Sequence, residues 1–424
     1  QGDTFNVVVF DDRVEAFKPE LQRDDAATRD EALRFVDNIR PGGSTNIDEA
    51  LRTALGMLPE GDKSRPAYVI FLTDGLPTVG EQNEGAIAER AHAANRAGAR
   101  IFAFGVGYDV NTRLLDRLSG GNGGTTEFVR PDEDIEASVS RFYGRLTSPV
   151  MTGLKLELKG VDMNRLSPRD LPDLFQGSQL IVVGRYRQSG KTTIRLAGRI
   201  GEREQTLEFP AELAEPGRGA DNAFVERLWA TRRIGELIAQ IDLSGKSQKL
   251  VDELVALSKR YGILTPYTAF LAEERTDLAA AGEMRRRTAG GVQRLEEISG
   301  ADAVTQRAMK SSMMQAQTAA APALYAPMVS TAGVGGARPA DAASAAAVTI
   351  RQVGAKTFYL RDGRWIDAEA LESKAPTETI EAYSDAWFAL ARRLGPERAG
   401  WLAFKEPVTL AAEGKIYKIE PARS

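Results

Sequence analysis

The run Ala67-Tyr68-Val69-Ile70-Phe71-Leu72 limits the possible folds more than any other feature of this sequence. Its residues are apolar without polar alternation, a pattern typical of a strand that is buried on both faces of a parallel sheet. Comparable strands are predicted at 5–10 and 100–106. Helices are predicted between and after these strands, at 28–39, 48–58, 84–97 and 132–146. This alternation predicts an α/β fold, with a doubly wound and mostly parallel sheet, over residues 1–147.

The pattern changes after residue 147. Strands with a period of two predict a small β-sandwich over 148–215, in which 180–186 and 192–200 form a hairpin. Helical periodicity over 216–275 then predicts a helical segment that packs on the sandwich.

The last third of the chain divides into two parts. Residues 276–350 are rich in Ala, Gly, Pro and Ser and predict a flexible linker, because such a composition buries too few apolar side chains to form a core. Over 351–424 the sequence predicts a compact α+β module. Its expected features are hairpin turns at Asp362-Gly363 and around Glu413-Gly414 and an amphipathic helix at 376–394.

Composition excludes several kinds of chemistry. The chain has 424 residues, no cysteine and one histidine, His92, so disulfides, thiol catalysis, cysteine zinc sites and multi-histidine metal centres are excluded. Its net charge of −4 argues against a nucleic-acid partner, since phosphate binding requires a basic surface. No apolar run approaches the length of a transmembrane segment. The segment 184–192 resembles a phosphate-binding loop, but it has one residue too many between its glycines and leads into a strand.

Two loops carry candidate metal ligands. The segment Gly42-Gly43-Ser44-Thr45-Asn46-Ile47 precedes a predicted helix, and Thr73-Asp74-Gly75 follows the strand at 67–72. Ligands of open parallel sheets bind beyond the carboxyl ends of the strands, and this is where Asp74 lies. The Thr45 hydroxyl and the Asp74 carboxylate are hard oxygen donors of the kind that Mg²⁺ prefers. Such residues are also common in turns and helix caps, and the residues alone leave both interpretations open.

The order of the elements and the two loops resemble a von Willebrand factor type A domain, in the version found in inter-alpha-trypsin inhibitor heavy chains and their bacterial relatives. The loops that contain Thr45 and Asp74 match the second and third parts of that family's metal-ion-dependent adhesion site. Segments at 226–230, 260–268 and 356–365 also resemble later regions of these proteins.

The resemblance implies that Thr45 and Asp74 are ligands of Mg²⁺ or Mn²⁺ in the complete protein. It also implies a binding and adhesion module of the bacterial cell envelope, in the periplasm or at the cell surface, whose protein partner supplies a carboxylate to the metal. The family's first metal motif, Asp-x-Ser-x-Ser, is expected on a central strand before Phe5 and does not occur there in the 424 residues. We therefore expect a chain that is truncated at its N-terminus and lacks the first strand.

Two alternative functions are open. One is a structural scaffold in which the metal site is vestigial. The other is a metal-dependent hydrolase that uses Asp74, which is disfavoured because no second carboxylate cluster and no base with metal-ligand spacing lies nearby in the sequence. We therefore expect a protein that is not an enzyme.

Overall fold

A computed structural model describes the chain over residues 2–40, 42–60, 65–146, 149–201, 203–215, 222–245, 247–292, 296–319 and 349–422. Most of the second half of the predicted linker, at 320–348, lies outside the described residues. Within the described ranges, no helix is both long and apolar enough to cross a membrane.

The first domain alternates strands and helices. Its elements are β1 (Thr4–Phe5), β2 (Val8–Phe10), β3 (Val14–Ala16), β4 (Gln22–Arg23), α1 (Ala26–Asp37), α2 (Ile47–Gly56), β5 (Tyr68–Thr73), α3 (Glu84–Ala94), β6 (Arg100–Val106), α4 (Thr112–Gly121), β7 (Thr126–Val129) and α5 (Ile135–Leu146). Strands β5, β6 and β7 form a parallel sheet in that order.

Helices cover this sheet on both faces. Ile101 and Ala103 of β6 pack into a core with α2, α3 and α4. Phe102 and Phe104, which alternate with them, contact Phe142 of α5 with ring centroids 4.7 and 5.2 Å apart. A parallel sheet with buried strands and helices on both faces confirms the predicted α/β fold.

Strands β1 to β4 lie outside the parallel sheet. β2 pairs with β3 and β1 pairs with β4, both in antiparallel fashion. Phe10 of β2 stacks on Phe71 of β5 with ring centroids 5.5 Å apart, but no hydrogen-bonded ladder between β2 and β5 occurs in the described chain. A central strand between them stays a prediction.

Two antiparallel sheets follow the first domain. Their strands are β8 (Pro149–Leu158), β9 (Met163–Ser167), β10 (Leu174–Phe175), β11 (Val183–Tyr186), β12 (Gly190–Ile200) and β13 (Arg203–Leu213). One sheet has the order β10-β8-β12-β13, and the other consists of β9 and β11. The prediction of a hairpin between 180–186 and 192–200 is wrong. β12 instead pairs along its whole length with β13, through a turn at Gly201 with φ 58°, and this ladder leaves β11 to pair with β9.

A helical region forms the centre of the chain. Its helices are α6 (Ala223–Ser244), α7 (Gln248–Tyr261), α8 (Ala281–Val292) and α9 (Ala301–Met314), with a short 3₁₀ helix at Ala269–Ala272.

The expectation of a flexible linker at 276–350 is wrong for the part that forms α8 and α9. Met309 and Met313 of α9 are buried in one core with α6 and α7. Gly235 of α6 permits this close approach, because a Cβ there would lie 2.9 Å from Met314 Cγ. Methionine adapts to irregular gaps, so a segment poor in Leu and Ile still fills a core.

Residues 296–314 also join the first domain to the helical region. The Thr112 amide donates to the Ile298 carbonyl, and the Gly300 amide donates to the Tyr108 carbonyl, both at 2.8 Å. The supposed linker is therefore a structural connection between two parts of the molecule.

The C-terminal module contains one six-stranded sheet. Its elements are β14 (Ile350–Val353), β15 (Lys356–Arg361), β16 (Arg364–Asp367), β17 (Thr377–Glu381), α10 (Asp385–Leu394), α11 (Pro396–Ala399), β18 (Val408–Ala412) and β19 (Lys415–Glu420). The strand order is β14-β15-β16-β18-β19-β17.

Local sequence predicts the turns of this module better than its helix. Asp362, Gly363, Glu413 and Gly414 all have positive φ, between 47° and 75°, which confirms both predicted hairpin turns. The predicted helix at 376–394 is wrong in its first half. Residues Thr377–Glu381 form β17 and pair with β19, and α10 begins only after Ser384, whose side chain caps it.

Candidate functional site

The loop that carries Thr45 is fixed by the end of β2. The Asn46 amide donates to the Asp11 carbonyl at 2.8 Å. The Asp11 side chain lies against Gly42, where a Cβ would be 2.2 Å from Asp11 Oδ2. Glycine is therefore required at position 42 for this packing. Asn46 then caps α2, since its side chain accepts a hydrogen bond from the Glu49 amide.

The same loop is locked to the segment that follows β5. The Thr45 amide donates to Thr78 Oγ1 at 2.8 Å, and the Thr45 carbonyl accepts from the amides of Thr78 and Val79 at 3.0 and 3.3 Å. The position of a Cβ on Gly75 is 3.2 Å from Thr45 Oγ1, so the Thr45 hydroxyl lies beside the residue that follows Asp74. The structure thus brings both predicted site residues to neighbouring loops at the carboxyl end of β5.

The side chains of Thr45 and Asp74 have no protein partner among the described residues. No hydrogen bond or ion pair is formed there by the Thr45 hydroxyl or by the Asp74 carboxylate, which is exposed. These are two hard oxygen donors that are available to a cation.

The available ligand atoms restrict which metal ion this site could bind. The described residues contain no group of three or more His, Cys, Asp or Glu side chains that could hold an ion. The two oxygens fit Mg²⁺ better than a zinc-type centre, because Mg²⁺ keeps several waters and requires few protein ligands.

Two carboxylates near the site, those of Asp11 and Asp48, are held by partners within the protein. The Arg13 amide donates to Asp11 Oδ1 at 2.8 Å and holds the pKa of Asp11 below its ordinary value. Asp48, at the start of α2, is buried and forms ion pairs of 3.3 Å with Arg52 and Arg90. These carboxylates stabilise the loop framework.

The sequence alone marks neither Asp11 nor Thr78 as part of the site. Both are framework residues of the site, since Asp11 anchors the Thr45 loop and Thr78 accepts from the Thr45 amide. No sequence signal identified these contacts, because each joins residues more than 30 positions apart. His92 is exposed on α3, and Lys191-Thr192 lie in β12, so the 184–192 segment lacks the helix that a phosphate loop requires.

Comparison with known proteins finds a similarity between the first domain and one protein family. Residues 1–141 match the family model of the von Willebrand factor type A domain. Inter-alpha-trypsin inhibitor heavy chain H4 of Homo sapiens is 28% identical over 294 residues, which cover 65% of this chain and 31% of that protein. Heavy chain H2 of Mus musculus is 25% identical over 288 residues, covering 64% of this chain and 30% of that protein. The chain therefore spans less than a third of the length of these relatives.

Solved structures show weaker likeness. The von Willebrand factor type A protein from Catenulispora acidiphila is 17% identical, with a TM-score of 0.41, and the match covers 61% of this chain and 70% of that one.

Proposed function

We propose, from the premise that residues 1–141 are a von Willebrand factor type A domain, that this chain binds a protein partner through a divalent cation held by Thr45 and Asp74. Type A domains are protein-interaction modules and often bind a divalent metal. The observation that carries the proposal is the pair of unpartnered oxygens, the Thr45 hydroxyl and the Asp74 carboxylate, on two loops that are hydrogen-bonded to each other.

Each residue has a separate role in this proposal. The backbone of Thr45 forms three hydrogen bonds, one of them to the Thr78 hydroxyl, so the Thr45 hydroxyl is positioned before a ligand arrives. Asp74 is exposed and supplies negative charge. A bound Mg²⁺ or Mn²⁺ would offer an open coordination position to an oxygen of the partner, and a carboxylate is the hard anionic group that suits it.

The proposal places this binding in the bacterial cell envelope, in the periplasm or at the cell surface. Its support is the resemblance to the bacterial relatives of the heavy chains. The role is one of binding, since the site offers two oxygens to a cation and no described base beside them for acid–base catalysis.

A scaffold role is the second candidate, and a specific observation favours it. Buried arginines connect the separate parts of the chain. Arg232 of α6 donates to the carbonyls of Ser167, Ile181 and Ala316 at 2.7 to 3.1 Å. A scaffold would keep these contacts whether or not a metal binds.

Titration of Mn²⁺ into the full-length protein, followed by calorimetry, tests the proposal. Changes outside the first coordination shell alone weaken metal binding by about 10- to 100-fold, so Asp74→Ala is expected to weaken it by at least as much. Glu89→Ala is the matched control, because Glu89 is an exposed carboxylate on α3 and belongs to neither of the two loops. Equal affinity of Asp74→Ala and the unmodified protein would refute the metal site and favour the scaffold.

A further inference from the structure

A lysine and two carboxylates meet inside the C-terminal module. Lys356 is the first residue of β15, Asp367 is the last residue of β16, and Glu369 follows it closely. Asp367 lies opposite Phe358 in the ladder, so Lys356 and Asp367 point to the same face of the sheet. Lys356 Nζ lies 2.6 Å from Asp367 Oδ2 and 2.5 Å from Glu369 Oε2. We call these three residues the Lys356 cluster.

Two members of the Lys356 cluster are shielded from water. The side chain of Lys356 is 6% exposed and that of Asp367 is 1% exposed. The Trp401 ring covers the amine, with its centroid 5.0 Å from Nζ. Burial raises the pKa of Asp367, although Lys356 acts in the opposite direction. Because burial disfavours both charged groups, it favours transfer of a proton from Nζ to Asp367, which leaves a neutral amine beside a neutral carboxyl group.

The Asp367 carboxyl group is held in an orientation suited to attack by that amine. Oδ1 accepts from the Glu369 amide at 3.0 Å, and Oδ2 accepts from the Ala411 amide at 3.1 Å. An amide N–H directed at Oδ1 stabilises the negative charge that develops there when the carboxyl carbon is attacked. Nζ is 2.6 Å from Oδ2, and a carboxyl C–O bond is about 1.2 Å long, so Nζ lies within about 3.8 Å of Cγ. This is close to the separation of about 3 to 3.5 Å from which well-oriented groups react.

We propose that Lys356 and Asp367 form an intramolecular isopeptide bond with Glu369 as the proton shuttle. The lone pair of the neutral Nζ attacks Cγ of the protonated Asp367 carboxyl group, and negative charge develops on Oδ1. The Glu369 carboxylate takes a proton from the nitrogen and gives it to Oδ2, which leaves as water with the electron pair of the Cγ–Oδ2 bond. The products are an amide between Nζ and Cγ, one water molecule and an unchanged Glu369, so the step needs no co-reactant.

Proximity and burial favour this condensation. Groups that are held in contact react as though each were present at an effective concentration of about 10⁵ to 10⁸ M. The reaction also replaces a buried ammonium and a buried carboxylate by one neutral amide, which removes the cost of keeping two charges away from water. A buried ion pair without a bond is the alternative, and it retains that cost.

The bond would join β15 to β16 at the end of their hairpin that is open. The Asp362-Gly363 turn connects the two strands at one end, and Lys356 and Asp367 lie at the other. The chain has no cysteine, so a disulfide cannot form this connection. The isopeptide bond is a cross-link that reducing agents do not open, and it would hold the hairpin closed when the rest of the module unfolds.

A second lysine–carboxylate pair in the same sheet is the matched control. Lys415 Nζ lies 2.9 Å from Glu378 Oε2, which is also within hydrogen-bond distance. Their side chains are 51% and 43% exposed, so water stabilises both charges and the amine stays protonated. The expected result for this pair is therefore no bond.

Peptide mapping of the full chain by trypsin and tandem mass spectrometry tests the proposal. The unmodified protein is expected to give a branched peptide that joins Lys356 to Asp367 and weighs one water molecule less than its two parts, with no cleavage after Lys356. Lys415 and Glu378 are expected in separate linear peptides. Lys356→Arg should give linear peptides alone. Glu369→Gln keeps a polar side chain but accepts no proton, so its bond should form about 100-fold more slowly.

Three results would overturn the proposal. The first is an unmodified protein in which Lys356 and Asp367 occur only in linear peptides after prolonged incubation, which would show a buried ion pair alone. The second is an equal yield of a Lys415–Glu378 cross-link, which would assign the water loss to sample handling. The third is a Glu369→Gln variant that forms the bond as fast as the unmodified protein. The first two results come from the unmodified chain and do not depend on whether any variant folds.

Discussion

Replacing Asp242 of α6 by alanine is expected to weaken the attachment of α9 by about 3–5 kcal/mol, the usual result of removing one member of a buried ion pair. Asp242 Oδ1 accepts from Arg307 Nη2 at 2.9 Å, and Oδ2 accepts from Lys310 Nζ at 3.2 Å. The side chains of Asp242 and Arg307 are 0% exposed and that of Lys310 is 5% exposed. The substitution would leave these two cations with one fewer anion where water cannot reach them.

A substitution of the neighbouring Asp116 of α4 shows how the cost depends on the burial of the carboxylate. It forms an ion pair with Lys310 and is 12% exposed, so water can partly replace its carboxylate. Asp116→Ala also leaves Asp242 in contact with both cations. Its expected cost is therefore smaller, about 1–3 kcal/mol, as for a hydrogen bond to a charged group.

Hydrogen exchange of the α9 amides at low urea measures the local free energy of opening for each variant. The double variant Asp242→Asn with Arg307→Gln removes one buried charge of each sign and so leaves no additional unpaired cation, and it should lose less than Asp242→Ala alone. A loss below about 1 kcal/mol for Asp242→Ala, or a greater loss for the double variant, would refute the reasoning about unpaired buried charge.

Three further predictions concern single residues and one segment. Gly42→Ala should weaken Mn²⁺ binding about 10- to 100-fold, because the added Cβ would displace Asp11 and the adjoining loop. Gly43→Ala should have no effect, since a Cβ there meets nothing within 4 Å, and calorimetry compares the Mn²⁺ affinity of the two variants. Limited proteolysis should spare α8 and α9, since Val292 of α8 and Met309 and Met313 of α9 are buried in one core; first cuts within either helix would contradict this packing. A backbone N–H at the start of α1 holds the pKa of Asp25 below its ordinary value. The contribution of the ionised Asp25 side chain to stability should therefore be complete above its ordinary pKa and be lost as the pH falls through its lowered pKa. An NMR titration that finds an ordinary pKa for Asp25 would contradict this.

Elements specified by local chemistry could be predicted from the sequence. The apolar run at 67–72 predicts a buried parallel strand, and β5 is one. Asp362-Gly363 and Glu413-Gly414 adopt the positive φ that their hairpin turns require. In these cases the neighbouring residues alone decide the backbone conformation.

Elements that depend on distant partners could not be predicted. Arg307 and Lys310 of α9 are typical of a solvated segment unless the carboxylates that pair with them are known. Asp116, which pairs with Lys310, lies 194 residues away in the sequence. Composition alone therefore mistook a buried helix for a linker. The pairing of β12 with β13 is a different case, because β13 follows β12 directly along the chain through a turn at Gly201; here the predicted hairpin lies at the wrong one of two local turns.

The candidate site shows the same division. Thr45 lies just before the start of a helix and Asp74 just after the end of a strand, and a sequence pattern can locate both positions. The contacts that hold their loops together, from Asp11 and Thr78, are products of tertiary packing and emerge only from the fold. The role of Thr45 and Asp74 as metal ligands stays a prediction.

Anomalous diffraction from crystals of the full-length protein grown with Mn²⁺ tests the central claim most directly, because it locates the ion itself. The account predicts an anomalous peak in contact with Thr45 Oγ1 and the Asp74 carboxylate, with waters in the remaining positions. The peak should be absent from crystals of Asp74→Ala grown in the same way. A well-ordered site loop with no peak, or a peak bound elsewhere while the Thr45 and Asp74 oxygens contact only water, would contradict the account.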